Sequence, residues 1–383
     1  MAVILSGDFN PDHAIAKIDK AFSYMKEKSV PEYTFAPEDA ITSPVIKEVV
    51  GPDAESVTIA FRLPSNQDKD AALANLVGSI LTNGKAGLID LNLVKKQKLL
   101  KASAYSYLLV DHGLLYISAS PSQGQSLEDV KKLVLNEIEN LKKGNFDDDL
   151  IPSIVNNIKK HKIQQTESYG DRAYMLMDAF TGKLNWRDQV AYVNDLSKVT
   201  KKDIMDFANK YFGNNYVAVL KHKGERTDIE KIEKPTITPV ETNADKQSAF
   251  VKMINQMPST PVAPVFLDYN KDLQRSKLGK AEVYYVQNKE NQLYRLNFRY
   301  KIGTLNDLKM GLAAQYIQFL GTDKKSEEQI SKEFYKIASS FRVHTADEYT
   351  FVTIEGLQEN FEAAVTLYEN LIQNLKADDQ ALE

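Results

Sequence analysis

The chain has 383 residues, 43% of them hydrophobic and 26% charged, with a formal net charge of −4. That leaves room for two or more domains with cores of their own, and too little charge imbalance for a nucleic-acid footprint. No cysteine is present, which excludes disulfides, thiolate zinc sites and a cysteine nucleophile and leaves the compartment, periplasm or cytoplasm, unfixed.

The opening segment "VILSGDFNPDHAIAKIDKAF" reads as a β-branched strand, a turn at Gly7-Asp8, and a helix with Asn10 as N-cap and Pro11 at its first position. The run "AVILSG" is too short to span a bilayer or to serve as a secretory h-region, so no membrane insertion is expected. Pro31, Pro37 and Pro44 predict loop before "SVTIAFRLP", where Val57, Ile59, Phe61 and Leu63 alternate as in a half-buried strand. A helix through Leu73, Leu76, Val77 and Ile80 follows, and "AGLIDLNLVKKQKLL" also reads as helical. Two strands, "KASAYSYLLV" and "GLLYISAS", are joined across "DHG". Ser126 and Asp129 form a capping box for a helix that Gly144 stops, and further helices fill residues 147–212, the last capped by Thr200 and Asp203. The strand "YVAVLK" closes this part. Prolines 235, 239, 258, 261 and 264 surround one short amphipathic stretch, "SAFVKMINQM", so residues 224–264 read as an interdomain linker with one helix.

The same order of elements then returns. "LYRLNFRYKIG" matches "SVTIAFRLPS", "LKMGLAAQYIQFL" matches "DAALANLVGSIL", and "SEEQISKEFYKIA" matches "AGLIDLNLVKKQKLL". The strand pair "SSFRVHTADEYTFVTIEG" matches "KASAYSYLLVDHGLLYISAS", turning at Asp347 where the first copy turns at Asp111. Both copies end in a helix, "EIENLKK" or "LIQNLKA". Agreement of helix and strand periods at every step predicts an internal duplication. The expected fold is α+β: repeated domains of antiparallel sheet with helices packed on one face, two domains joined by a linker. The second copy stops where the first continues, so the chain reads as a piece of a longer protein.

This order resembles the pitrilysin and insulysin family of zinc peptidases, which includes the mitochondrial processing peptidases. "YKIGTLND", "GLAAQYIQFLGT", "SEEQISKEFYKIASSF" and "VHTADEYT" fall in the order of its catalytic domain, with Gly303, Asp307, Gly311, Gly321, Thr322 and Ser326 at the landmarks. "ILSGDFNPDHAIAKIDKAF" and "VTKKDIMDFANKYFGNNYVAVL" resemble closing elements of such domains. The resemblance implies two halves of paired domains closing around a peptide. Residues 1–223 would be the second domain of the catalytic half, and residues 265–383 a truncated third domain, the inactive counterpart of the zinc domain.

Laid on the family's His-x-x-Glu-His helix from Gly311, the first histidine falls on Ala314, the glutamate on Ile317 and the second histidine on Gln318. Alanine and isoleucine offer no lone pair, and a neutral amide is a poor zinc ligand. The two amides Gln315 and Gln318, set three apart, then read as a solvated stripe on a helical face. An Arg/Tyr pair that the family places in its last domain falls here, in the first copy, on Lys98 and Ala102. His13, His112, His161, His222 and His344 lie far apart in sequence, none paired at helical ligand spacing. No catalytic or metal residue is therefore expected in this chain, and zinc is expected in the parent protein. By the resemblance the zinc domain precedes residue 1, the competent Arg/Tyr pair follows residue 383, and the ligand is an extended peptide met by edge-strand pairing and apolar pockets. The alternative is a non-catalytic peptide-binding or assembly subunit of a processing-peptidase-like complex. An unrelated α+β protein, duplicated only for stability, is the third reading.

Overall fold

The computed structural model describes residues 1–383 except 35, 37, 227–232, 260, 262 and 383. Pro37 and part of the expected linker therefore lie outside the described residues. The chain forms two compact units, residues 1–225 together with 290–383, and residues 226–289.

The first unit opens with α1 (Pro11–Phe22), whose N-cap Asn10 accepts from the His13 N–H, with Pro11 in the first turn as the sequence predicts. The preceding "VIL" does not form a strand, because no described strand pairs with it. Residues 45–51, expected as part of a loop, form β1 (Val45–Gly51) instead. Its β-branched residues follow directly on Pro44, where a proline is tolerated at the start of an edge strand. The chain continues through β2 (Ser56–Leu63), α2 (Ala71–Leu81), β3 (Lys101–Leu108), β4 (Gly113–Ser120), α3 (Leu127–Lys142), α4 (Leu150–Gln165), α5 (Tyr169–Thr181), α6 (Trp186–Leu196), α7 (Lys201–Tyr211) and β5 (Tyr216–Lys223).

The five-stranded sheet has the order β1-β5-β2-β4-β3. All its pairs are antiparallel except β1 with β5, which is parallel. Alternation fixes the register: Val57, Ile59, Phe61 and Leu63 of β2 are buried and sit opposite Ala119, Ile117, Leu115 and Gly113 of β4. A slip of one residue would turn that whole apolar row toward solvent. Helices α2, α3 and α7 cover this face. Phe61 packs edge-on against Phe212 at 5.0 Å between ring centres and beside Tyr216 at 5.6 Å. Large side chains buried this way contribute roughly 1.5–3 kcal/mol each.

Helix α7 is held by a reciprocal cap in which the Thr200 N–H donates to Asp203 at 2.8 Å and Thr200 Oγ1 accepts from the Asp203 N–H at 3.3 Å. Thr200→Ala is expected to cost about 1 kcal/mol, read from urea unfolding. The bonds from the Thr200 hydroxyl and backbone hold the Asp203 carboxyl below its usual value of 3.8. A lowered carboxylate stabilises above that value and ceases to as pH falls through the folded one, so the difference between variant and wild type shrinks below about pH 4.

In the second unit, α8 (Ala249–Gln256) is capped by Ser248, which accepts from the Val251 N–H. A hairpin of β6 (Gln274–Leu278) and β7 (Ala281–Tyr285), not foreseen from the sequence, turns at Gly279 with φ +60°. The left-handed backbone there favours glycine.

The chain then re-enters the first unit with β8 (Leu293–Tyr300), α9 (Lys309–Tyr316), β9 (Gly321–Thr322), α10 (Glu327–Lys336), β10 (Ser340–Thr345), β11 (Thr350–Leu357), α11 (Phe361–Gln373) and β12 (Leu375–Lys376). Sheet order β10-β11-β8 repeats the antiparallel order β3-β4-β2 of the first copy. Its own core gathers Ile330, Phe334, Val352, Ile354, Ala364, Tyr368 and Leu371. The duplication in the sequence is thus a duplication of fold.

Within this unit the copies meet where α10 packs on α4. Asn157 Nδ2 donates to the Tyr335 carbonyl at 2.7 Å, while Lys336 pairs with Asp149 at 2.7 Å and Lys159 with Glu359 at 2.9 Å. Such exposed ion pairs contribute about 0–1 kcal/mol each. More of the contact rests on Tyr335, which packs against the first copy's core. Burial, reinforced by Asp90, pushes its phenol above the ordinary range and keeps it neutral.

Candidate functional site

The landmarks around residues 311–322 have local structural reasons. A Cβ on Gly303 would lie 2.3 Å from the carbonyl oxygens of Ala346 and Asp347, so only glycine lets this loop close on the β10–β11 turn. The N–H groups of Thr304 and Leu305 then donate to those two carbonyls at 3.0 and 2.9 Å. Asp307 accepts from the Lys309 N–H at 2.9 Å as α9 begins. Gly321 lies against the Lys325 carbonyl, 2.5 Å from where a Cβ would sit, and Ser326 and Gln329 form a capping box for α10.

Between these landmarks the expected continuous helix is short. It ends at Tyr316, and Ile317–Phe319 form a single 3₁₀ turn. The amides therefore do not share one α-helical face: Gln315 is on the helix and Gln318 on the turn, both exposed. Ala314 is 7% exposed on a helix that packs against β10, and Ile317 is half-buried. None of Ala314, Ile317 and Gln318 offers zinc an imidazole or carboxylate, so this donor set does not fit the metal.

Lys98 and Ala102 occupy a different setting. "AGLIDLNLVKKQKLL" is not one helix: residues 88–94 are helical, Asp90–Val94 of them in a π-turn, and the chain after them is turn. Buried Asp90 explains the break. Its Oδ2 accepts from the N–H groups of Asn83, Gly84 and Gly87 at 2.7, 2.8 and 3.2 Å, pinning the loop after α2. Gln97 then adopts φ 54°, which swings Leu99 into the core at 1% exposure. Lys98 is left exposed, its carbonyl accepting from Gln125 Nε2 at 3.1 Å, and Ala102 is half-buried on β3 opposite Ala119.

The histidines fall on α1, the β3–β4 turn, α4, β5 and β10. Among the described residues, no group of three or more His, Cys, Asp or Glu side chains is placed to hold a metal ion, and no helix is long and apolar enough to cross a membrane.

The open face of the five-stranded sheet is aromatic at its β3 end. Tyr105 and Tyr107 are about half exposed, and the Tyr105 and Tyr116 rings lie 5.2 Å apart. The outer edge of β3 is closed at its centre, where Thr82 Oγ1 accepts from the Ala104 N–H at 2.7 Å and donates to its carbonyl at 2.9 Å. Gly78 of α2 packs so closely on this strand that a Cβ would meet the Ser106 nitrogen at 3.3 Å. At the opposite edge, β1 exposes Val45, Ile46, Val49 and Val50.

One feature escaped sequence reasoning. Gln318 lines a cavity of about 210 Å³ together with Lys160, a lysine only 8% exposed. Ser153, Asn157 and Lys160, spaced i, i+4 and i+7, place polar residues on a buried stripe of α4, which is the signal that could have marked it.

A family profile described as Peptidase M16 inactive domain matches residues 1–158. The zinc protease PqqE of Helicobacter pylori (strain ATCC 700392 / 26695) is 23% identical over 215 residues, covering 55% of this chain and 48% of that protein. The chain thus spans about half the length of this curated relative. Among solved structures, a protease from Helicobacter pylori aligns with a TM-score of 0.53 at 22% identity, over 57% of this chain and 54% of that one. Pitrilysin aligns with a TM-score of 0.53 at 15% identity, over 97% of this chain and 42% of that one. At these identities the two structures speak to the fold alone. Residues 1–158 are thus similar to the inactive domain of M16 peptidases, and no His-x-x-Glu-His occurs in the sequence.

Proposed function

We propose that the chain is the non-catalytic middle portion of a zinc metalloendopeptidase, forming wall, peptide-binding surface and hinge of a chamber whose metal is held by another domain. The inactive-domain match over residues 1–158 is the observation that carries this reading. Residues 1–223 act as the second domain of the catalytic half, 224–264 as linker and 265–383 as the third domain. Zinc enters through a domain N-terminal to these residues, and a C-terminal domain supplies the Arg/Tyr pair for which Lys98 and Ala102 are no substitute.

Strand pairing gives an extended peptide main-chain hydrogen bonds, with side-chain pockets adding selectivity. The Thr82 hydroxyl stands in the way at β3, which favours β1 as the pairing edge in the first copy. The apolar row along β1 supplies contacts for alternate side chains of the peptide.

Metal analysis and a fluorogenic-peptide assay on the purified chain test the reading. The expected result is no stoichiometric zinc and no cleavage from the chain alone, with cleavage appearing when it is joined to a zinc-bearing N-terminal half. Zinc-dependent cleavage by the chain alone, or a parent protein without any zinc motif, would overturn it, the latter in favour of a peptide-binding or assembly subunit.

A further inference from the structure

Lys160 lies on α4 where the second copy's α10 packs against it, and both helices line the cavity of about 210 Å³. The side chain is 8% exposed and has no ion pair or hydrogen bond among the described residues. On the α10 side, the buried hydroxyl of Ser331 is likewise without a hydrogen-bond partner. The cation and the unpartnered hydroxyl thus line the same partly open cavity. Burying an ammonium without a direct ion pair is costly, and burial lowers the pKa of this one against the opposing pull of Glu355.

The surrounding charges leave the space positive. Lys85 joins Lys160 in the lining, while Glu327 is already paired with Lys95 at 3.2 Å. Glu355, on β11, attracts the Lys160 ammonium but is bonded to Arg295 at 3.1 Å, and neighbouring His161 contributes no negative charge. Ile330, Phe334, Phe341 and Leu371 give the wall an apolar side, beside the polar Gln318 and Ser339. A cationic point beside a hydroxyl donor, opposite aromatic and aliphatic side chains, complements a single-charged acid with an apolar body.

We propose that this cavity binds a carboxylate bearing a short apolar group, its oxygens taking up Lys160 Nζ and Ser331 Oγ and its body lying against Phe334 and Phe341. The carboxylate comes either from a free apolar acid or from the C-terminal residue of a peptide. The proposal stands apart from the chamber reading, since it needs only this unit of the chain.

Titration calorimetry of the full chain with 3-phenylpropanoate, with a short peptide ending in phenylalanine and with the same peptide as its C-terminal amide tests it. Saturable one-to-one binding of the free acid or the acid-ended peptide is expected, with none of the amide; which of the two binds identifies the source. Lys160→Met should weaken binding at least about tenfold, the loss of one charge-assisted contact, and Ser331→Ala by a smaller factor. Because Lys160→Met also changes a buried site, a second readout uses the unaltered protein. Bound 3-phenylpropanoate or acid-ended peptide should protect Lys160 from acetylation, mapped by mass spectrometry. No binding by either acid, equal binding of the amide, or binding and protection indifferent to Lys160 and Ser331 would each overturn the assignment.

Discussion

Asp90→Ala is expected to lower stability by roughly 3 kcal/mol or more, because it strands up to three backbone donors in a nearly dry loop. The carboxylate is 7% exposed and accepts from Asn83, Gly84 and Gly87 at once. Each bond to a carboxylate is worth about 1.5–3 kcal/mol, and losses within one network do not add fully. The consequence is more than local, since this loop joins α2 to the π-turn and sets where β3 begins. Urea unfolding reads the effect as a lower midpoint, with Asp90→Asn as an intermediate case that keeps an acceptor oxygen. A midpoint for Asp90→Ala within about 0.5 kcal/mol of wild type would mean that water replaces the carboxylate and that the loop is held otherwise.

Asp90 also shows where sequence reading stops. Periodicity reveals β2 because its alternate residues face a buried layer, and the duplication reveals itself because the same periods recur in the same order. Residues 86–100 have a helical apolar spacing too, yet a single carboxylate reaching back to three amides outweighs that spacing and leaves one π-turn. Propensity describes a segment against solvent; it cannot register a partner several residues away whose bonds are available only in the folded loop. The same limit works in reverse at the opening "VIL", β-branched but without a strand to pair with, and at β1, whose pairing depends on β5 far along the chain. Lys160 is the functional counterpart. It lies where α10 packs against α4, a contact between copies at which the local pattern offers only the polar stripe of α4, so a residue that reads as one more solvated lysine becomes the cation of a cavity.

Rebuilding the family's zinc motif in place, as Ala314→His, Ile317→Glu and Gln318→His, is expected to yield neither stoichiometric zinc nor peptide cleavage. Two imidazoles four residues apart grip one metal only on continuous α-helix, where that spacing returns to nearly the same face. Here the helix ends at Tyr316 and a 3₁₀ turn follows. At 120° per residue against 100°, two such steps rotate position 318 by roughly 40° away from the face of position 314. Position 314 adds a steric obstacle, because Ala314 is 7% exposed on a helix packed against β10 and an imidazole there overfills its surroundings, at a cost of about 1–3 kcal/mol. Gln318→His alone, on an exposed turn, should stay within about 0.5 kcal/mol of wild type. Metal content after dialysis, a fluorogenic-peptide assay and urea unfolding of the triple and single variants separate these terms. One tightly held zinc per chain in the triple variant would show that the turn rewinds into helix when given a metal to close on. In that case the absent ligands alone, and not the backbone that presents them, would separate this copy from a zinc-binding one.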